Sequence, residues 1–178
     1  MNNSGTYEKI VKVKNRGKHL AKKISVILAY ALFFSIWLIS AVNTPKKIVP
    51  IIVAGILATL LLVILTWKYL QVEYEYSFWY GNMSIAKIYA KRKRKAIIET
   101  EIKDLLLIAP ATDEYILRAE HFEIEERVIA VSSENADDIW LAVTGGKDER
   151  RVLIFFEADE RSLAMLRAAN SHVFVKKP

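Results

Sequence analysis

The sequence predicts an α+β membrane protein, with an N-terminal helical hairpin followed by a small antiparallel β domain that closes on a C-terminal helix. Three observations carry this. Two runs without a charged residue, Ile24–Val42 and Ile48–Trp67, stand in tandem with only Asn-Thr-Pro-Lys-Lys between them. From Gln71 onward the apolar residues recur at every second position, the period of a half-buried strand. Near the end, Asp159 precedes ERSLAMLRAAN, an N-cap residue before an amphipathic helix.

Each apolar run matches the roughly 20 helical residues that cross a hydrocarbon layer at about 1.5 Å per residue. Helices of soluble domains keep a polar face, so two runs apolar all round point to lipid. Residues 24–67 are therefore expected to form a transmembrane helical hairpin, 24–42 and 48–67, turning at Asn43–Lys47 in the headgroup layer. A cleaved signal peptide is the competing reading of the first run. That run is long for a signal h-region, and Ile39-Ser40-Ala41 is a poor cleavage site.

Charge sets the expected orientation. Of the chain's net +6, residues 1–70 hold ten Lys/Arg against Glu8 alone, and the rest is net acidic. The basic character thus belongs to the membrane-flanking segment, and no nucleic-acid partner is expected. Cations precede the first run and follow the second, so both termini are expected in the cytoplasm of a two-span protein of the cell membrane. Residues 1–23 are expected to be a basic cytoplasmic arm and flexible tail, with Lys22 and Lys23 at the lipid surface. Within the second run, Ala54 and Ala58, or Gly55 and Thr59, have the small-xxx-small spacing of close helix packing. Neither run holds an ionisable residue that would mark an ion path.

The domain over 71–178 opens with QVEYEYSFWY, whose even positions Val72, Tyr74, Tyr76, Phe78 and Tyr80 are apolar or aromatic. Gly81-Asn82 reads as a two-residue type II′ turn into MSIAKIYAKRKR. That register pairs Phe78 with Ile85, Tyr76 with Lys87 (a candidate cation–π contact), Tyr74 with Tyr89 and Val72 with Lys91. It also sets Lys93 and Lys95 opposite Leu70 and Lys68, returning the run Lys91-Arg92-Lys93-Arg94-Lys95 to the membrane surface. Five consecutive charges cannot be half-buried. They form a solvated strand end or, together with Lys68, Lys22 and Lys23, a surface for anionic phospholipid headgroups.

Further strands are expected at Ile97–Glu101, Leu105–Ala109, Arg127–Ser133, Ile139–Thr144 and Arg150–Phe156, with Gly145-Gly146 turning between the last two. Ala111–Arg127 reads as a charged loop with a helical turn. Its Glu120, Glu123, Glu125 and Glu126 beside His121 lack the second histidine of a zinc site and read as solvated. The closing helix should bury Leu163 and Leu166, with Met165 beside them.

The YEYSFWYGNMSI hairpin, the KRKRK strand end and the FEADERSLAMLRAAN helix, placed directly after two spans, resemble bacterial pleckstrin-homology-like membrane proteins. They resemble in particular a family of small two-span proteins without an assigned activity. The resemblance covers roughly residues 20–175 and implies a pleckstrin-homology-like antiparallel β-barrel or sandwich with a C-terminal helix. It brings no catalytic residue and no cofactor. Phosphoinositide-binding pleckstrin domains carry basic residues around a longer first loop, whereas Gly81-Asn82 has none.

Enzyme chemistry finds no foothold here. The chain has no cysteine, and its histidines at 19, 121 and 172 are scattered. Asp137 and Asp138 are adjacent rather than on one face, and Gly145-Gly146 lacks a P-loop lysine. The expected function is a membrane-anchored, non-enzymatic binding or scaffold module on the cytoplasmic face, without cofactor or metal. It would contact anionic lipid and a protein partner or a second copy. The alternative is a subunit of an oligomeric membrane complex in which the helices do the work.

Overall fold

The computed structural model describes residues 6–14, 17–133, 136, 138–145 and 150–176. The chain divides into two units, residues 14–71 and residues 1–13 with 72–178.

The first unit is a helical pair. Helix α1 runs Gly17–Val42 and α2 runs Ile48–Trp67, joined through a 3-10 turn at Pro45–Lys47. Both are long and apolar enough to cross a membrane. Helix α1 begins earlier than the apolar run, so Lys22 and Lys23 lie in its first turns rather than in a tail. Gly55 is the buried residue of α2, and a Cβ there would stand 2.8 Å from the Trp37 Cβ. The Thr59 hydroxyl donates to the Gly55 carbonyl at 2.8 Å, whereas Ala54 is exposed and Ala58 half-buried. The Thr66 hydroxyl donates to Leu62 O, leaving its oxygen to accept from the Tyr30 hydroxyl of α1. At the open end, His19 Nε2 meets Leu70 O at 3.1 Å.

The second unit is a β sandwich. Strands β1 (Thr6–Lys12), β2 (Val72–Trp79), β3 (Asn82–Tyr89) and β4 (Lys93–Glu101) form one antiparallel sheet in that order. Strand β1 corrects the expectation of a flexible basic arm over residues 1–23, because Tyr7 pairs with Phe78 and Val11 with Tyr74. The other sheet orders β5 (Leu105–Pro110), β7 (Ile139–Thr144), β8 (Val152–Glu157) and β6 (Glu126–Ala130). Strand β6 runs parallel to β8, a departure from an all-antiparallel domain.

The β2–β3 turn falls one residue earlier than the sequence suggests, at Tyr80-Gly81. Both residues have positive φ, at 44° and 81°, as a type I′ turn requires. Phe78 therefore faces Met83, Tyr76 faces Ile85, Tyr74 faces Lys87 and Val72 faces Tyr89. A turn displaced by one residue shifts the register by two, which leaves every side chain on its expected face. The cation–π contact moves from Tyr76 to its neighbours, with Lys87 Nζ 5.9 Å from the Tyr74 ring and 5.4 Å from the Tyr89 ring.

Burial explains the two kinds of strand sequence. The first sheet turns its apolar face to the core, with Tyr76, Phe78, Met83 and Ile85 at 0% exposure in one cluster with Ile154, Phe156, Trp140 and Ala142, while the small and polar residues Glu75, Ser77, Ser84 and Ala86 are buried on its other face. Sheet β5-β7-β8-β6 is covered on both faces, which its unbroken apolar runs LLLIAP and IWLAVT anticipate. Its second face packs Leu107, Leu141, Val143 and Leu153 under Ile116 and Ala119 of α3 (Asp113–Glu120). Helix α4 (Glu160–Ala169) buries Leu166 against the main core, with Leu163 and Met165 beside it. A capping box starts it: the Ser162 N–H donates to Asp159 Oδ1 and the Asp159 N–H to Ser162 Oγ, both at 2.9 Å. Gly146 and Asp137 lie outside the described residues.

The N-terminal strand and the C-terminal helix are clamped together. The Tyr7 hydroxyl donates to the Asp159 carboxylate, Lys9 Nζ stands 3.9 Å from it, and the Arg161 guanidinium lies 4.8 Å from the Tyr7 ring. Burial and the Asp159 charge push the Tyr7 phenol up to about 12. Burial works to raise the Asp159 pKa. The bonds from Tyr7 and Ser162 and the charge of Lys9 outweigh it and hold the carboxyl below its ordinary value. The clamp should thus stabilise the fold fully between the carboxylate range and pH 10. Its contribution is lost in acid as pH falls through the lowered Asp159 pKa, and in alkali as pH rises from 10 toward 12. Thermal unfolding of Tyr7→Phe against the parent should show a stability gap that is flat across that window and closes on both sides. A gap independent of pH would mean that Tyr7 acts by packing alone.

Candidate functional site

The polybasic run is a turn, not the end of β3. Strand β3 stops at Tyr89 and the chain reverses over Ala90–Arg92, where the Arg92 N–H donates to Tyr89 O at 3.0 Å. Strand β4 then begins at Lys93 and returns along β3, pairing Tyr89 with Lys93 and Lys87 with Lys95. This overturns the pairing of Lys93 and Lys95 with Leu70 and Lys68. Ala90 and Lys91 take φ of 49° and 58°. Each costs an L-residue on the order of 1 kcal/mol, which Asn-Gly would avoid. The sequence accepts that strain and sets Lys91 and Arg92 at the tip.

All five side chains of Lys91–Lys95 are exposed, since the first half of β4 is an overhanging sheet edge. Pleating divides them. Lys93 and Lys95 share a face with Lys87, Tyr89 and Tyr74, giving three cations beside two phenol rings. Arg94 points to the opposite face, where its guanidinium meets the buried Glu75 carboxylate at 2.6 Å and Ser77 Oγ at 3.5 Å. Arg94 is therefore engaged within the sheet, and Lys91, Arg92, Lys93 and Lys95 form the outward set. The sequence reading pairs Lys87, Tyr74 and Tyr89 across the hairpin but does not join them to the basic surface. Their signal was the alternation itself, which places them beside the basic run once the turn is set correctly.

The turn's place in the sheet is fixed by pairing. Tyr89 faces Val72, and Lys12 faces Glu73, while the Val13 N–H donates to Val72 O at 3.2 Å. The chain leaves β1 after Val13 and re-enters β2 at Val72, both at the end of the sheet that carries the polybasic turn. Lys22, Lys23 and Lys68 belong to the helical unit, where the contact of His19 with Leu70 brings the start of α1 and the end of α2 together. Lys68 Nζ lies 5.2 Å from the Tyr69 ring.

At the other end of the first sheet lies a cleft of about 690 Å³ between β4 and β6, lined by the second half of β4 and the start of β6. The acidic residues around His121 are otherwise occupied in part: Arg127 pairs with Glu120 at 2.8 Å and Arg151 with Glu123 at 3.7 Å. Among the described residues no group of three His, Asp or Glu side chains is arranged to hold a metal ion.

No curated protein and no solved structure matches the chain. A family described as Bacterial PH-like domain (DUF6106) matches residues 4–176. That span takes in strand β1, the helical pair and the whole sandwich, and so the chain belongs to this bacterial PH-like domain family.

Proposed function

We propose that the protein is a membrane-anchored, non-enzymatic binding module. Helices α1 and α2 cross the cell membrane with both termini cytoplasmic, and the β3–β4 turn lies against anionic phospholipid headgroups. The observation that carries this reading is the exposed set Lys91, Arg92, Lys93 and Lys95, at the sheet end through which the chain passes to and from residues 14–71. Tyr74 and Tyr89 beside Lys87 add the aromatic and cationic pairing that suits a membrane interface. Lys22, Lys23 and Lys68 give the open end of the helical pair a basic character of its own. Attraction is by charge, because the side chains of Lys91, Arg92, Lys93 and Lys95 are all exposed. A second reading places an oligomeric assembly in the helices, through Ala54 and Ala58. Gly55 lies close against Trp37 of α1, and the Thr59 hydroxyl is turned to the Gly55 carbonyl of its own helix.

Each cation near an anionic surface contributes about 1 kcal/mol, so four together dominate the contact. In nanodiscs of mixed phosphatidylserine and phosphatidylcholine, amide exchange over Tyr89–Lys95 should be slower than in phosphatidylcholine alone, and high salt should abolish the difference. The variant K91Q/R92Q/K93Q/K95Q should exchange alike in both. Equal exchange of the parent in the two lipids would refute the headgroup contact.

A further inference from the structure

The fold covers some of its sheet edges and leaves others open. The outer edge of β5 is closed by the C-terminal segment, where the Ile108 N–H donates to Val173 O and the Val175 N–H to Ile108 O at 2.9 and 2.8 Å. Strand β1, at one edge of its sheet, is clamped to α4 through Tyr7, Lys9 and Asp159. Among the described residues no strand pairs with the outer side of β1, β4 or β6, but only β1 is tied down by side chains at its end, and β4 and β6 face each other across a cleft. Both border the 690 Å³ cleft, whose volume falls within the range of about 300–1,000 Å³ typical of binding clefts.

The lining of this cleft is mostly apolar and acidic, with Arg150 its one cation among the described residues. Ile97, Ile98, Val128 and Val152 supply apolar surface, and Ile97 is 37% exposed. Glu99, Glu125 and Glu126 stand exposed at the rim, with Asp104 half-buried below. Among the described residues no cation pairs with these four carboxylates, while Glu101 is held by Lys103 at 2.6 Å. The cleft sits at the end of β4 opposite Lys91–Lys95, so one strand carries the basic turn at its start and an acidic groove at its end.

We infer that this seam is a docking groove for an extended, basic segment of a protein partner, which adds as a strand along the open edge of β4 or β6. Unpaired edges provide the backbone donors and acceptors of strand addition. Pleating puts Glu126 on the same face as Val128 and its register partner Val152, so the groove-facing residues of an added strand meet apolar and acidic side chains together. The fitting sequence combines apolar and cationic residues. The inference rests on the reading of the domain as a binding module and is independent of the headgroup contact.

The test uses the full chain in phosphatidylcholine nanodiscs, which carry no net charge to attract the probe. The probe is a fluorescent peptide of alternating lysine and valine, about ten residues long, followed by anisotropy. Saturable binding is expected, with at least about tenfold weaker binding by a lysine–glycine peptide of equal charge, and a loss of about tenfold in E99Q/E125Q/E126Q. Exchange of backbone amides should slow in Ile97–Glu101 or Glu126–Ala130 and nowhere else on the sheets. K91Q/R92Q/K93Q/K95Q should bind the peptide as the parent does, which separates this groove from the lipid surface. Equal binding of the two peptides, unchanged affinity in the triple glutamine variant, or protection away from β4 and β6 would each overturn the inference.

Discussion

Replacing residues 14–71 by Asn-Gly should yield a soluble, monomeric β domain that needs no detergent. The ladder of β1 and β2 ends at Lys12 and Glu73, and just beyond it the Val13 N–H bonds to Val72 O at 3.2 Å. In topological terms the helical pair is an insertion at the tip of a β-hairpin. Asn-Gly is the favoured two-residue connection for such a pair, because its type I′ twist matches that of the strands. The excised segment removes both apolar helices and eight Lys/Arg, turning the net charge from +6 to −2. The main core draws on β1, both sheets and α4, and among the described residues none of 14–71 belongs to it. Size exclusion should therefore report a monomer, with cooperative thermal unfolding and dispersed amide resonances. A product that aggregates or lacks fixed side-chain packing would show that the β domain depends on the helices. The same product offers a direct check of the basic turn: it should associate with phosphatidylserine vesicles in low salt, and only while Lys91, Arg92, Lys93 and Lys95 are present.

The insertion also accounts for what the sequence conveys poorly. Strand β1 is separated from its partner by the whole helical pair, so no local turn signal announces it. Its pattern misleads as well. Tyr7, Lys9 and Val11 share the face turned toward the core, while the apolar Ile10 points outward at 56% exposure. Lysine on the inner face is tolerated because Lys9 reaches the edge and donates to the Glu157 carbonyl at 3.2 Å. Strands β2, β7 and β8 were legible because burial on one face or two writes period two or an unbroken apolar run. Asp159 announced α4 because capping is local chemistry. The parallel pairing of β6 with β8 has no local signature, since both partners would look the same in either direction. At the candidate site, the composition of Lys91–Lys95 identified the residues. Their division into an exposed set and an Arg94 tied to Glu75 depended on the reversal at Ala90–Arg92, which carries no Asn-Gly signal and reads in the sequence as continuing strand. The acidic groove was beyond reach, because it joins Glu99 to Glu125 and Glu126 across two sheets.

Tyr76→Ala should be among the most damaging single changes in the domain, and Tyr76→Phe should separate its two causes. Tyr76 has no exposed surface, and its ring meets Phe156 edge-on at 6.2 Å, joining the inner faces of the two sheets. Its hydroxyl donates to the Ala130 carbonyl on β6 and accepts from the Glu157 N–H at the end of β8 at 3.3 Å. Burial raises the phenol pKa far above its ordinary value, so the hydroxyl remains a donor throughout the accessible pH range. Removing the hydroxyl alone leaves the Ala130 carbonyl buried without that donor, at a cost of about 1–3 kcal/mol. Removing the ring as well opens a cavity between the sheets and brings the loss to about 3–5 kcal/mol. Domains of this size hold only about 5–15 kcal/mol in total, so the alanine variant should be close to unfolded. Urea unfolding of the helix-free domain measures both, and an unchanged m-value would locate the effect in the folded state. If Tyr76→Phe proved neutral, the sheets would be held by packing alone. A Phe loss that accounts for a third or more of the Ala loss would mean that the inter-sheet hydrogen bond fixes how β2 sits over β6 and β8, and with it the width of the seam between β4 and β6.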